Sequence, residues 1–263
     1  MKKLIVANWK MNPDSLEHAR QIFMSVEHRM HFFQDKTEVA ICPPAVYLAP
    51  MSHYGHYVKL GAQNIHWEEK GAYTGEISVI QVKQWGVSFA ILGHSERRMY
   101  FSENDLMVRL KAQLCLENDI TPIVCLGGDP KAQKDGMKRI VTKQFKAATK
   151  DLDKKLIERM IFVYEPTWAI SSNKNAEPAT GEHAVEMISH IRNMVAEIVG
   201  VARAGIMPML YGGSVNKDNV HEFAKHPTID GALVGAASLN GDNFLAVVKE
   251  FHRESIHKFE SSN

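Results

Sequence analysis

Residues 161–171 read Ile161-Phe162-Val163-Tyr164-Glu165-Pro166-Thr167-Trp168-Ala169-Ile170-Ser171. A run of β-branched and aromatic residues ends abruptly in a carboxylate, and a proline follows. A short apolar run closed by a breaker is the pattern of a buried strand. Glu165 then stands where such a strand leaves the core, partly stripped of water. There a carboxylate's proton affinity can be raised until it works as a base near neutral pH. Taken alone, a glutamate after a strand reads as a solvated loop residue, and only the rest of the chain argues otherwise.

Working outward, short apolar runs alternate with amphipathic segments from end to end. The runs are Leu4–Ala7, Val39–Ile41, Val58–Leu60, Phe89–Leu92, Ile123–Leu126, Ile161–Tyr164, Met207–Tyr211 and Ala232–Val234. Between them lie helical patterns. In the clearest, Val185, Ile188, Ile191, Val195 and Ile198 recur at steps of three or four, and Gly200 can close the helix. Pro13, Asp14 and Ser15 signal a helix start, and Trp85-Gly86 a helix end. Phe244, Val247, Val248 and Phe251 mark a last helix before a polar end, residues 258–263, expected to fray. Strict β-α alternation implies a parallel sheet, and eight strands each followed by a helix imply a single α/β domain over residues 1–263, a closed (β/α)8 TIM barrel. An open doubly wound sheet would need a glycine-rich phosphate loop after its first strand, where this chain has Asn8-Trp9-Lys10.

Composition narrows the function classes. The 263 residues are 45% hydrophobic and 23% charged, with a formal net charge of +1. That balance argues for neither nucleic acid nor a membrane surface as partner. Three cysteines, Cys42, Cys115 and Cys125, sit in apolar patterns and read as reduced packing residues. The apolar run after Met1-Lys2-Lys3 stops at Asn8, too short for a signal peptide. A cytoplasmic protein is the expectation.

In such barrels function gathers at the C-terminal ends of the strands. Those positions hold Asn8 and Lys10; Gly93-His94-Ser95-Glu96-Arg97-Arg98; Glu165; Gly212-Gly213-Ser214; and Gly235-Ala236. Each has an ordinary explanation: a surface lysine, a structural histidine, a tight turn. Together they suggest more. A histidine at the start of the short helix opening at Ser95 feels the positive dipole end, which disfavours imidazolium and suits hydrogen-bond donation to an oxyanion. Glycine-rich loops after strands seven and eight can present backbone N–H groups to a phosphate. A base, a neutral donor, a fixed cation and a phosphate cradle fit proton abstraction beside the carbonyl of a small phosphorylated sugar.

Several longer stretches carry a family resemblance: Ala7-Asn8-Trp9-Lys10-Met11-Asn12, Gly61-Ala62-Gln63-Asn64, Gly71-Ala72-Tyr73-Thr74-Gly75-Glu76, Ile91-Leu92-Gly93-His94-Ser95-Glu96-Arg97-Arg98, Tyr164-Glu165-Pro166-Thr167-Trp168-Ala169-Ile170, Tyr211-Gly212-Gly213-Ser214-Val215, and Asp230 through Leu239. In these the chain resembles the triosephosphate isomerase family over essentially its whole length. The resemblance implies a cofactor-free and metal-free isomerase of a small phosphorylated sugar. Glu165 would be the base that shuttles a proton through an enediol, and His94 the neutral electrophile. This family is itself the standard illustration of that pair. Lys10 would stabilise negative charge and Asn8 orient it, with Glu96 near the lysine. Ser95 would hold the base in the open state. Ser171, Ser214, Gly235 and Ala236 would contact the phosphate, while Ile170 and Leu233 would close over the base and dry it. The loop Gly71–Glu76, with Thr74 at its tip, resembles an arm that docks beside the neighbouring subunit's site, so a homodimer is implied.

The chain also departs from the family. The mobile lid usually reads Gly-Thr-Gly-Lys, here Ser171-Ser172-Asn173-Lys174. Matching Ala179-Thr180-Gly181-Glu182 to the family's Ala-Thr-Pro-Glu leaves the lid longer by a few residues. Ser171 is expected to donate its backbone N–H to the phosphate, with the added residues bulging near Glu177-Pro178. Strand five ends Cys125-Leu126-Gly127-Gly128, where the family usually has a glutamate that accepts from the lid tryptophan, here Trp168; Asp129 could substitute. Ala236 replaces a glycine and requires a backbone open to other residues. Two alternatives stay open: an isomerase of a four-carbon keto-sugar phosphate, and a non-catalytic phosphate-binding barrel.

Overall fold

A computed structural model describes residues 1–127, 136–166, 168 and 179–260. Eight strands, β1 (Lys3–Asn8), β2 (Thr37–Cys42), β3 (Lys59–Ala62), β4 (Val87–Leu92), β5 (Thr121–Leu126), β6 (Ile161–Tyr164), β7 (Met209–Tyr211) and β8 (Gly231–Val234), form a closed barrel in chain order. Every pairing is parallel, including the closing one, in which Leu4 to Ala7 of β1 face Gly231 to Val234 of β8. The eight apolar runs of the sequence thus become the eight strands. Most strands extend a residue or two beyond their runs, and in two the run overreaches the strand: Val58 lies just ahead of β3, and β7 opens at Met209, after Pro208 has withheld the amide that a ladder needs.

Strand alternation divides the apolar residues into two concentric cores. Leu4 and Val6, Ala40 and Cys42, Phe89 and Ile91, Ile123 and Cys125, Ile161 and Val163, with Leu210 and Leu233, pack together inside the barrel. Their neighbours Ile5, Ala7, Phe162, Tyr164, Ala232 and Val234 face the helices and join a larger outer core. Helices that pack on this outer face are delimited by side-chain caps. Ser15, Asn104 and Thr180 each accept from a backbone N–H in the first turn that follows, and Ser78 with Gln81 forms a reciprocal capping box.

The helix Gly181–Val199 buries Ala184, Met187, Ile188, Ile191, Met194 and Val195, and Gly200 at φ +90° closes it. Val185 and Ile198, assigned to that face by spacing, lie at its margins: Val185 is half-buried and Ile198 is exposed. The stripe is widened instead by two methionines, which fill irregular gaps well. The last helix runs Gly241–Glu260, taking in residues 258–260; residues 261–263 lie outside the described ones. All three cysteines are buried free thiols. Burial pushes the thiols of Cys42, Cys115 and Cys125 far above the ordinary range, as suits packing residues.

Candidate active site

Alternation also builds the site. Inside the barrel, β6 presents Ile161 and Val163; the next position on that row is Glu165. In β1 the row Leu4, Val6 continues to Asn8, and in β8 Leu233 continues to Gly235. The rows meet at one mouth, where Asn8, Lys10, His94, Glu165, Gly213, Leu233 and Gly235 line a common space.

Glu165 is 1% exposed, yet its carboxylate is well supplied with donors. The Ser95 backbone N–H donates to Oε2 at 2.9 Å and the Ser95 hydroxyl to Oε1 at 2.8 Å. His94 Nε2 lies 3.1 Å from the same Oε1. His94 occupies the N-cap of the helix Ser95–Tyr100, and its Nδ1 accepts from the Glu96 N–H at 3.3 Å. With Nδ1 placed as an acceptor, Nε2 is the ring nitrogen left to face Glu165 as a donor.

Lys10 reaches the mouth with a backbone few lysines adopt, φ +54°. Two bonds hold it there: Asn8 Oδ1 accepts from the Lys10 N–H at 3.0 Å, and Gln63 Nε2, itself tied to Cys42 O at 2.9 Å, donates to Lys10 O at 2.8 Å. Strain of this kind persists where the surroundings over-determine it. The ammonium ends 2.7 Å from Glu96 Oε1. The Gly235 backbone lies beside its stem: a Cβ there would make an ordinary contact with Lys10 Cε, at 3.6 Å.

At the same mouth, a Cβ at Gly213 would run into the Tyr211 hydroxyl, so glycine lets the backbone pass close to that ring. Ser214 follows, its carbonyl accepting from Asn219 Nδ2 at 2.9 Å. Ala236 opens a 3-10 turn, Ala236–Leu239, and takes no positive φ, which answers the requirement its side chain imposes. Leu233 is buried in the inner core at the edge of the site. Trp168 is half-buried; its indole nitrogen is buried and has no hydrogen-bond partner among the described residues. Ile170, Ser171 and Asp129 lie outside the described residues, and with them the expected N–H on the phosphate and the substitute acceptor for Trp168.

The sequence reading missed several supports of this site. Gln63 braces Lys10, although it stood in a quoted motif without a role. Glu103, 4% exposed, accepts from the Gly93 N–H at 2.9 Å just ahead of His94. It also binds Arg97 Nε and Lys111 Nζ, each at 2.6 Å. A polar residue in a polar stretch signals nothing until its partners are in place.

An eight-stranded parallel barrel with a buried carboxylate, an imidazole and an ammonium gathered at its C-terminal mouth has the form of a barrel enzyme. Comparison with known proteins narrows this. The family model described as triosephosphate isomerase matches residues 3–251. A triosephosphate isomerase of Caldanaerobacter subterraneus is 41% identical over 94% of this chain and 98% of its own length. One from Aquifex aeolicus is 40% identical over 95% of this chain and 100% of its own, and one from Dictyoglomus turgidum 38% over 94% and 99%. The chain belongs to the triosephosphate isomerase family.

Proposed function

We propose that the protein interconverts dihydroxyacetone phosphate and D-glyceraldehyde 3-phosphate, with Glu165 as the base and His94 as the electrophile. The observation that carries this is the pair itself. A buried carboxylate lies 3.1 Å from Nε2 of an imidazole whose other ring nitrogen accepts a backbone N–H, at the mouth where barrel chemistry collects. Glu165 takes a proton from the carbon beside the substrate carbonyl and returns it to the neighbouring carbon. The electron pair left behind moves to the carbonyl oxygen, giving an enediolate. That oxygen takes a proton and the neighbouring hydroxyl gives one up, with His94 between the two oxygens, before the second carbon is protonated and the new carbonyl forms. His94 Nε2–H and the Lys10 ammonium stabilise the enediolate oxygen's charge where it develops. Asn8 fixes the turn that aims Lys10. Ser95 holds the carboxylate before substrate arrives, and Ser214, Gly235 and Ala236, with Ser171, form the phosphate cradle. No step calls for a metal or a cofactor.

The protein works as a homodimer in this reading, in the cytoplasm, and its place is in glycolysis and gluconeogenesis. Residues Gly71–Glu76 are exposed throughout, as an arm awaiting a partner would be. Beside Asn8 and Lys10 lies a groove of about 360 Å³ bordered by Met11 and Phe101, which are 94% and 65% exposed. That is apolar surface of a kind that marks protein contacts. Among the described residues no helix is long and apolar enough to cross a membrane.

A coupled isomerase assay on the wild type and on Glu165→Gln tests the proposal. The variant should lose most of kcat, on the order of a thousandfold or more, while phosphate affinity changes little, because the lost interaction belongs to proton transfer. A loss confined to KM removes the assignment of Glu165 as base. A clear preference of the wild type for a four-carbon keto-sugar phosphate in kcat/KM would assign the site to that larger substrate.

A further inference from the structure

We propose that His183 is a positioning residue for Glu165, acting through Tyr164; the inference rests on the assignment of Glu165 as base. Tyr164 and Glu165 are consecutive, so strand alternation sends one side chain into the helix layer and the other into the mouth. The base is therefore placed no better than the peptide it shares with Tyr164. Tyr164 is completely buried in the outer core, and its hydroxyl lies 2.8 Å from His183 Nε2. Among the described residues, His183 is the one hydrogen-bond partner of that hydroxyl.

His183 is itself well fixed. It lies in the first turn of the helix Gly181–Val199, and its N–H donates to the Thr180 hydroxyl at 3.2 Å. Its Nδ1 lies 3.9 Å from Glu186 Oε2, and Glu186 is paired with Lys138 at 2.6 Å. The tautomer with its proton on Nδ1 faces that carboxylate and leaves Nε2 to accept from Tyr164. Burial pushes the Tyr164 phenol far above the ordinary range, so it remains a donor across physiological pH. The same imidazole packs against Trp168, ring centroids 5.4 Å apart and tilted by 58°. One histidine thus touches the residue just before the base and the third residue after it. The strand that carries the base is anchored on both sides to a long, well-packed helix.

The test compares wild type, His183→Ala, His183→Gln, Tyr164→Phe and the His183→Ala/Tyr164→Phe double variant by steady-state isomerase kinetics. Circular dichroism melts accompany each. His183→Ala should lower kcat about tenfold with KM nearly unchanged, the mark of a misplaced reacting group. His183→Gln, whose amide oxygen can still accept from Tyr164, should restore most of that loss. The double variant should be no worse than either single one, because both remove the same bond. Should His183→Ala fold poorly, Tyr164→Phe carries the test, since it keeps the ring and loses only the hydroxyl. A kcat within about twofold of wild type in Tyr164→Phe and His183→Ala overturns the proposal. So does an equal loss in His183→Gln and His183→Ala, or additive losses in the double variant. A wild type without isomerase activity, or a fully active Glu165→Gln, rejects the base assignment and this inference with it. An active wild type indifferent to His183 rejects the inference alone.

Discussion

Ser95 gives both of its hydrogen bonds to Glu165: the backbone N–H to Oε2 at 2.9 Å and the hydroxyl to Oε1 at 2.8 Å. The carboxylate is thus held by a residue that precedes it by 70 positions and sits at the end of a strand two removed in the barrel. If this contact belongs to the resting site and not to proton transfer, Ser95→Ala should cost about 1.5–3 kcal/mol of stability, the range for a hydrogen bond to a charged group. Its kcat should stay within a few-fold of wild type. Urea melts and initial rates check the two halves separately. A loss of several hundredfold in kcat would place the hydroxyl in the reaction itself.

In the proposed homodimer, Thr74→Arg should weaken dimerisation and activity together. A guanidinium carried into a groove between subunits has to shed water without a partner carboxylate arranged for it. Sedimentation velocity over a range of concentrations checks the association. An undisturbed dimer rejects the arm assignment.

Glu103 and Lys111 form a buried pair behind His94, 4% and 2% exposed. Burial alone would raise the Glu103 pKa, but Lys111 and Arg97 outweigh it and hold the carboxyl below its usual range. Lys111 is itself held below the usual lysine range by burial, against the pull of Glu103. On the acid side only the carboxyl changes its protonation. Its folded pKa lies below the unfolded value of about 4.3, so the pair's contribution is present above that pH and fades as pH falls through the folded pKa. Lys111→Met should therefore cost about 3 kcal/mol or more at pH 7, by leaving a buried carboxylate short of one cation. The gap to wild type should narrow below about pH 4. Denaturant melts at the two pH values measure it, and a gap independent of pH would mean that lost packing, not charge, is the cause.

Glu27, 5% exposed on the helix Leu16–Met30, accepts from the backbone N–H groups of His56, Tyr57 and Val58 at 2.8 to 3.2 Å. These donors lie where the chain enters β3, at the barrel end opposite the site, the end associated with stability. Glu27→Gln turns an amide NH2 toward donors and should lower stability by about 1–3 kcal/mol. Because the site lies at the other end, kcat should not change. A thermal melt together with a rate assay decides it; a large fall in kcat without a fall in Tm would tie this loop to the chemistry.

The barrel was legible in the sequence because its determinants are local. Alternation with period two divides Ile161, Val163 and Glu165 from Phe162 and Tyr164 in any strand, and Pro166 ends that strand wherever it lies. The short polar motifs at the run ends marked Asn8, Lys10, His94 and Glu165, and these four meet at the mouth. Helix margins were read less well: Ile198 has the right spacing but is exposed, because the core stops short of the helix end. What tertiary structure alone decided is which polar groups find one another. Glu103 joins Gly93 to Lys111, Glu27 caps a loop about 30 residues away, and His183 takes the hydroxyl of Tyr164, the residue before Glu165. A hydrogen bond across the fold leaves no period in the chain, since it depends on where two backbones have been brought and not on the pattern along either one. The sequence therefore determined where the candidate catalytic groups stand along the strands, and packing decided how firmly each is held.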